Sequence, residues 1–481
     1  MYSLSVDATN RKRAIGEPDK KACGCMGSSL PPLRKAQGRG THCHEPGRQS
    51  KGWATRPMQI PAPGRATRIL AIALGLFLAA QADAQYKILH NFTGGADGDG
   101  GQAMALDPVG NIYGASIGGG SQNGGLVYEL TRGPNGDWTF SALYNFTGKS
   151  DGAGPNSPLI LNSLGNIYGT TQSGGGPHGG GTAFELSPGK NGWTQKTLFS
   201  FCPAMEKDIC LDAGGTVSSP VPDENGNFYG TKPWYGGVIY ELTKVSGIWT
   251  ETLLRKFCPN GSGQCADGVA PYAAPILSTT GSLYGTTFGG GNQCGSSTCG
   301  TVYELSPQGD GHWQESVLFR FNGQNGQFPG SGALYMDETG VLYGTTELGG
   351  TYGGIAFRLT PQGGGHWRYA IIHNFLGGPS GSLPYWGVVM DKIGNLYGTT
   401  DGGGNLSGCG VIYKLAPAPG DKWKYSVLHT FGNGFDGCVP EGNLAIDQNG
   451  NLYGGTVLGG EYGYGIVFQL STVPVSDQPS R

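Results

Sequence analysis

From about residue 86 to residue 470 the chain is written in short runs of alternating apolar and polar residues separated by glycine-rich breaks, and the runs come in fours. The set at 387–431 is the clearest, with GVVMD, NLYGTT, GVIYKL and WKYSVLHTF in succession. Short runs rich in Val, Ile, Thr and aromatic residues, bounded by Gly, Asn and Asp, predict β-strands rather than helices. A Tyr-Gly pair marks the second run of each set, at Tyr113, Tyr168, Tyr229, Tyr284, Tyr343, Tyr397 and Tyr453. Seven copies at this period predict a repeat architecture, and four strands per copy predict a propeller blade.

The first connection of each set carries its own turn chemistry. Asp391 and Gly394 recur as Asp107 and Gly110, Asp223 and Gly226, Asp337 and Gly340, and Asp447 and Gly450, with Asn162 and Ser278 replacing the Asp in two copies. Asp, Asn and Ser side chains bond the following backbone, and Gly supplies the positive φ of a tight hairpin. These aspartates are therefore read as turn formers rather than as a ladder of catalytic carboxylates. The third run carries an aromatic in every copy (Tyr128, Phe184, Tyr240, Tyr303, Phe357, Tyr413, Phe468). The fourth begins with Trp138, Trp193, Trp249, Trp313, Trp367 or Trp423, always eight residues before a Phe.

The seventh copy stops without a Trp run. Its counterpart lies at the other end of the repeat region, where AQYKILHNF at 84–92 aligns with WKYSVLHTF at 423–431. This permutation predicts an all-β, seven-bladed β-propeller of four-stranded blades, closed by the N-terminal strand completing the last blade. A solenoid would need caps and gains nothing from a split terminal unit, whereas closure removes exposed sheet edges.

Composition agrees and adds an address. Glycine at 91 of 481 residues argues against a helical protein, while 50 aromatic residues are enough to build a core. Residues 1–57 are basic, rich in Pro, Gly and Ser and without apolar period, and are expected to be a disordered segment or a mis-assigned start ahead of Met58. ILAIALGLFLAA at 69–80, with Arg65 and Arg68 before it and Ala82-Asp83-Ala84 after it, predicts a secretory signal at 58–84 cleaved after Ala84. The propeller then spans 85–471, with a disordered tail at 472–481. The cut leaves 18 basic against 29 acidic residues, a net charge of −11, which disfavours nucleic acid and anionic membrane as partners. No remaining stretch is long and apolar enough to span a membrane. A secreted or periplasmic location follows.

Eight of the 11 cysteines lie beyond the cut, an even number that in an exported chain predicts disulfides. The favoured pairs are Cys202 with Cys210, Cys258 with Cys265, Cys294 with Cys299, and Cys409 with Cys438. Pairing of Cys258 and Cys265 across to Cys294 and Cys299 is the alternative. Cys23, Cys25, His42, Cys43 and His44 lack zinc-finger spacing and predict no metal site.

The repeated core, (D/N)xxGNLYGTTxxGG followed by G(T/V/I)(V/I/A)(Y/F)xL, resembles the GloVer tandem repeat of choice-of-anchor bacterial exported proteins over about residues 86–470. The resemblance implies a surface or secreted repeat protein, often with a C-terminal anchor that is not evident here, and supplies no catalytic residues. A weaker likeness to Kelch repeats reflects shared blade packing.

Connection lengths distinguish the two faces. The Asp-x-x-Gly hairpin and the third-to-fourth connection are nearly constant. The second-to-third loop varies, its flanking aromatics lying 11 residues apart at Tyr229 to Tyr240 and 19 apart at Tyr284 to Tyr303, and so does the blade-to-blade connection. Strands alternate in direction, so both variable connections share one face, as do all eight cysteines. Variable loops on a rigid scaffold are where binding is tuned, although they are equally places that tolerate insertion. Non-repeated aromatics on that face, Trp234, Tyr235, Tyr272, Tyr385 and Trp386, are the candidate ligand-binding residues, with inter-blade packing as the alternative role. His90, His373 and His429 share a fourth-run site with Tyr144, Phe199, Arg255 and Phe319, which reads as packing. The sequence shows no nucleophile elbow, HExxH, Walker loop or dinucleotide fingerprint. Asp-Gly pairs at Asp97, Asp151, Asp267 and Asp436 offer calcium oxygens but lack calcium-loop spacing, so no cofactor is expected. The functional expectation is a binding or scaffold module for a glycan or an extracellular protein. A propeller enzyme acting on polysaccharide or lactone, a lyase or hydrolase, is the alternative.

Overall fold

The computed structural model describes residues 85–472 apart from 207–208, 211–214, 216–217, 260–264, 295–296, 331 and 406. The basic segment, the signal and the tail beyond residue 472 lie outside the described residues. Seven antiparallel sheets follow one another along the chain as the blades of a propeller. In blade 1 the strands run outward as Gln102–Leu106, Ile112–Ser116, Leu126–Arg132 and Trp138–Asn145. In blade 6 they are Val389–Met390, Leu396–Thr400, Val411–Ala418 and Lys422–Thr430.

Blade 7 takes three strands from the C-terminal end, Cys438–Ile446, Leu452–Leu458 and Ile466–Ser471, and its outermost strand from the N-terminal end, Gln85–Asn91. Tyr86 pairs with Leu470 and Ile88 with Phe468, then the register shifts so that His90 faces Val467. Blade 6 repeats the pattern, with Tyr425 opposite Leu415, Val427 opposite Tyr413 and, after the same shift, His429 opposite Ile412. The borrowed strand therefore takes the place of an ordinary fourth strand down to its bulge. A bulge opens at this point in all seven blades, and the extra residue, Leu89 in blade 7 and Leu428 in blade 6, packs against the core.

Strand lengths are less even than the sequence pattern predicts. Fourth strands reach nine residues, whereas the innermost strands of blades 2, 3, 4 and 6 pair over two. Pro158, Pro220 and Pro275 stand just ahead of three of those innermost pairs and bring no N–H to the ladder.

The repeat motifs have distinct jobs. In the Tyr-Gly pair, a Cβ on Gly398 would lie 2.4 Å from the Tyr413 hydroxyl oxygen, and one on Gly230 2.3 Å from that of Tyr240. The tip of the third-strand ring thus abuts a glycine of the second strand, where only Gly leaves room for it. In the two threonines that follow, the first reaches the next blade: Thr170, Thr231 and Thr345 donate to the carbonyls of Ser218, Ala273 and Trp386 at 2.9–3.0 Å. The second closes its own corner, as where the Val411 N–H donates to the Thr400 hydroxyl.

Aromatic pairs seal the seams between blades. Trp138 meets Tyr453 of blade 7, Trp193 meets Tyr113, Trp313 meets Tyr229, Trp367 meets Tyr284 and Trp423 meets Tyr343, all edge-to-face with centroids 6.0–6.4 Å apart. Such pairs contribute about 0.5–1.5 kcal/mol each beyond the area they bury. The seam between blades 2 and 3 uses Tyr168 against Phe228 at 4.9 Å instead. At the seam between blades 6 and 7 the Trp position is Ala84, outside the described residues, and Tyr397 is met instead by the Lys414 ammonium, 5.6 Å from its centroid.

Candidate functional site

The Asp-x-x-Gly hairpins occupy the constant face and are consumed by their own turns. Asp391 Oδ1 accepts the N–H groups of Ile393 and Asn395, and Oδ2 accepts the Asn395 amide at 2.7 Å and the Tyr397 hydroxyl at 3.0 Å. Asp107, Asp223 and Asp447 repeat the set. Burial alone would raise the Asp391 carboxyl, but these hydrogen bonds outweigh it and hold the group below the usual carboxylate range. An ionised, fully engaged carboxylate is a turn cap and not an acid catalyst. A depression between the blade 6 and blade 7 hairpins is lined by these same turn residues.

The variable face holds all four disulfides. Cys202–Cys210, Cys258–Cys265 and Cys294–Cys299 each close one loop, with Cα atoms 5.2, 5.3 and 5.7 Å apart. Cys409–Cys438 spans 29 residues and joins the second-to-third loop of blade 6 to the connection entering blade 7.

The aromatic candidates fall into two groups. Trp234 lies edge-on to Tyr272 at 6.4 Å, Tyr272 edge-on to Phe288 at 5.5 Å, and Phe288 stacks on Phe328 at 4.5 Å, so one run of rings crosses blades 3, 4 and 5. Trp234 and Tyr235 are exposed, Tyr235 with a φ of 54° in a tight loop, whereas Tyr272 is half-buried and its hydroxyl is pushed up by burial. Tyr385 and Trp386 form their own edge-to-face pair at 5.3 Å in blade 6. Both are half-buried, and the indole N–H of Trp386 is buried without an acceptor among the described residues. Blade 5 lies tight against them, since a Cβ on Gly330 would sit 1.8 Å from the Tyr385 carbonyl oxygen.

Other exposed aromatics stand outside the candidates that the sequence pattern singles out. Tyr352, Phe435, Tyr462 and Tyr464 lie in the loops of blades 5 and 7 and in the connection between blades 6 and 7. Their signal is visible in GGTYGG at 349–354 and GGEYGYG at 459–465, where a tyrosine interrupts a glycine loop away from any repeated position. Together with Trp234 and Tyr235 they are all the exposed aromatics among the described residues, and every one lies on the variable face. The exposed large apolar residues of the constant face are aliphatic, as at Val109, Leu164, Ile248 and Ile393.

The three histidines of the fourth-strand site pack. His90 stacks on Phe140, His373 on Tyr425 and His429 on Tyr86, each against the fourth strand of the adjoining blade, where Phe319 likewise stacks on Tyr369. Blades 3 and 4 put charges at the equivalent sites, with Arg255 bridging Glu315 at 2.6 Å and Asp267 at 2.5 Å. Burial raises the Glu315 carboxyl to about 7 although Arg255 opposes it. Lys232, wholly buried where most blades have Thr, bonds Glu251 at 2.5 Å with its ammonium over Phe201 and Tyr240. Of the Asp-Gly aspartates, Asp97 accepts from the Thr93 N–H and hydroxyl, Asp151 from Thr147 and Tyr144, and Asp436 from Gly432 and Asn433. Among the described residues no group of three or more His, Cys, Asp or Glu is placed to hold a metal ion.

Fold and site together define a disulfide-stapled seven-bladed propeller with one loop-bearing aromatic face. The sequence matches the Gloeobacter/Verrucomicrobia repeat over residues 75–293 and 235–468, and the chain belongs to that family. None of the curated proteins matches it. Among solved structures it is similar to PorZ, an essential surface component of the type-IX secretion system of Porphyromonas gingivalis, at 17% identity and TM-score 0.42, over 76% of this chain and 46% of PorZ. It is also similar to a protein of Thermus thermophilus assigned as an oxidoreductase (glucose dehydrogenase), at 15% identity and TM-score 0.38, over 80% and 99% of the two chains. A protein of Bacteroides fragilis assigned as a 6-phosphogluconolactonase matches at 15% and TM-score 0.38, over 68% and 82%.

Proposed function

We propose that the protein is an exported binding or scaffold module that recognises a glycan or an extracellular protein through the variable face. The observation that carries this reading is the segregation of exposed aromatics to that face. Large amphipathic rings held on a rigid scaffold supply contact area at little entropic cost, and Tyr, Trp and Phe are enriched in recognition surfaces. The disulfides stiffen the same loops and suit an oxidising compartment outside the cytoplasm. The titratable groups described above are engaged in turns, ion pairs or stacks, which favours binding over catalysis.

The test is an array of extracellular glycans and cell-surface proteins probed with the purified protein and with a W234A/Y352A/Y462A variant of unchanged melting temperature. Loss of a wild-type signal in the variant supports the reading. Undiminished binding by the variant, or product formed from a bound polysaccharide, overturns it.

A further inference from the structure

At three seams the fourth strands of neighbouring blades are joined in the same way. Tyr369, Tyr425 and Tyr86 stack on Phe319, His373 and His429 of the preceding blade. Each tyrosine hydroxyl also donates to the connection between the two blades, at the carbonyls of Asn325, Ser380 and Asp436 over 2.5–2.8 Å. The seam between blades 3 and 4 replaces both rings with charge. Glu315 stands where the tyrosine does and Arg255 where the Phe or His does, while Asp267 takes the place of Asn325, Ser380 and Asp436. One guanidinium there serves two carboxylates, Glu315 at 2.6 Å and Asp267 at 2.5 Å.

The Glu315 side chain is 6% exposed and that of Asp267 25%. Glu315 Oε1 and Arg255 Nε are buried without a partner among the described residues. Facing Glu315 are Arg255 from blade 3, Asp267 from the connection, Arg320 from its own strand and the buried Tyr303 from the third strand of blade 4. One cation cannot neutralise two anions, and burial makes the surplus negative charge costliest on Glu315. Burial above all, helped by Asp267 and opposed by Arg255 and Arg320, accordingly lifts this carboxyl to about 7. The segment that Arg255 grips leads to the candidate rings. Arg320 Nε donates to the Ala266 carbonyl, and the N–H groups of Val269 and Ala270 donate to the carbonyls of Gly289 and Gly236. Gly236 follows Tyr235, and Tyr272 lies edge-on to Trp234.

We propose that Glu315 is a proton-operated clasp of the variable face: on taking up one proton it leaves Arg255 to Asp267, and segment 266–272 tightens beside Trp234. A carboxyl raised in the folded state adds stability that is fully present below its ordinary value of about 4.5 and is lost as pH rises through about 7. Acidification therefore tightens the clasp, and a surplus charge above about pH 7 loosens it. The clasp acts whatever the face binds, so its failure and that of the binding module are separate outcomes.

The test is amide hydrogen exchange at Val269 and Ala270 in the purified full chain at about pH 6 and about pH 8, read as protection factors so that the intrinsic pH dependence of exchange is removed. Ser382 and Leu383 are the controls, because their N–H groups make the same two bonds in blade 6, to the carbonyls of Gly402 and Gly353. Wild-type protection at 269–270 is expected to be roughly three- to tenfold higher at the lower pH, with 382–383 changing less than about twofold. E315Q should hold the higher level at both pH values. D267N, which leaves Arg255 to Glu315 alone, should also abolish the difference, at the lower level, and is decisive on its own if E315Q does not fold. Equal wild-type protection at the two pH values, greater protection at the higher one, a matching change at 382–383, or a pH difference retained in E315Q or D267N would each overturn the proposal.

Discussion

Tyr86, two residues into the described chain, stacks on His429 with ring centroids 3.8 Å apart and planes 2° from parallel, and its hydroxyl donates to the Asp436 carbonyl at 2.8 Å. One side chain thereby ties the N-terminal strand of blade 7 to the fourth strand of blade 6 and to the connection between them. Truncation to Ala removes the stack, the buried bond and the packing against Phe468. Y86A should cost about 3–5 kcal/mol in denaturant unfolding, the range for a large aromatic removed from a core.

The same seam, like that between blades 2 and 3, has no described Trp–Tyr pair, and it is where Cys409–Cys438 joins two blades. The loop-entropy account gives about 3–4 kcal/mol for a bridge of this span and about 2–3 for one the length of Cys202–Cys210. C409A/C438A is therefore expected to lower the melting temperature more than C202A/C210A. The opposite order in thermal unfolding would mean that the seam does not depend on this bond.

His373 is held neutral by burial, which lowers its pKa to about 4. The unfolded chain takes up a proton near the ordinary value of about 6.5, so between about pH 6.5 and about pH 4 the unfolded state binds more protons than the folded one. Stability is thus fully present above about pH 6.5 and falls as pH drops through that window. The loss is on the order of 1–2 kcal/mol once discounted for the ring's partial contact with water. Blades 2 and 4 place Phe199 and Phe319 at this site, so H373F should fold and show a flatter stability profile between about pH 4 and about 6.5. An identical profile would locate the pH dependence elsewhere.

Asp391 serves two backbone N–H groups, an amide and a hydroxyl, whereas blade 2 does the backbone part of the job with Asn162. D391A should cost about 1–3 kcal/mol by leaving those donors unmatched, and D391N clearly less. Urea unfolding of the two variants separates a turn cap from a position where any small residue serves.

Much of this structure is legible in the sequence because the repeats compare the chain with itself. The Tyr-Gly period gives the blade count, and the match of 84–92 with 423–431 gives the closure. The four disulfides join the cysteine pairs favoured from loop spacing. Features set by contact between blades are harder to read. Nothing local indicates that Lys232 would enter a Thr site and find Glu251, or that Arg255 and Glu315 would replace a ring stack. Phe328 and Leu383 adopt φ values of 57° and 60° just before Pro329 and Pro384, where each N–H donates to a carbonyl of the preceding blade. The tertiary hydrogen bond overrides the backbone preference there, and residue type does not announce it. The candidate site is half visible in the sequence. Trp234 and Tyr235 are exposed as a ligand contact requires, while Tyr272, Tyr385 and Trp386 are half-buried, and the tyrosines of the glycine loops stand outside the seven-fold repeated positions.

The arrangement of both faces depends on the ring being closed by the N-terminal strand. Amide hydrogen exchange of residues 86–91 in the intact protein tests this directly. Closure predicts protection at the hydrogen-bonded amides of that segment comparable to the fourth strand of blade 6 at 424–429, lost only in global unfolding. Rapid exchange at 86–91 with protection retained at 424–429 would contradict it, and would mean that blade 7 stands open.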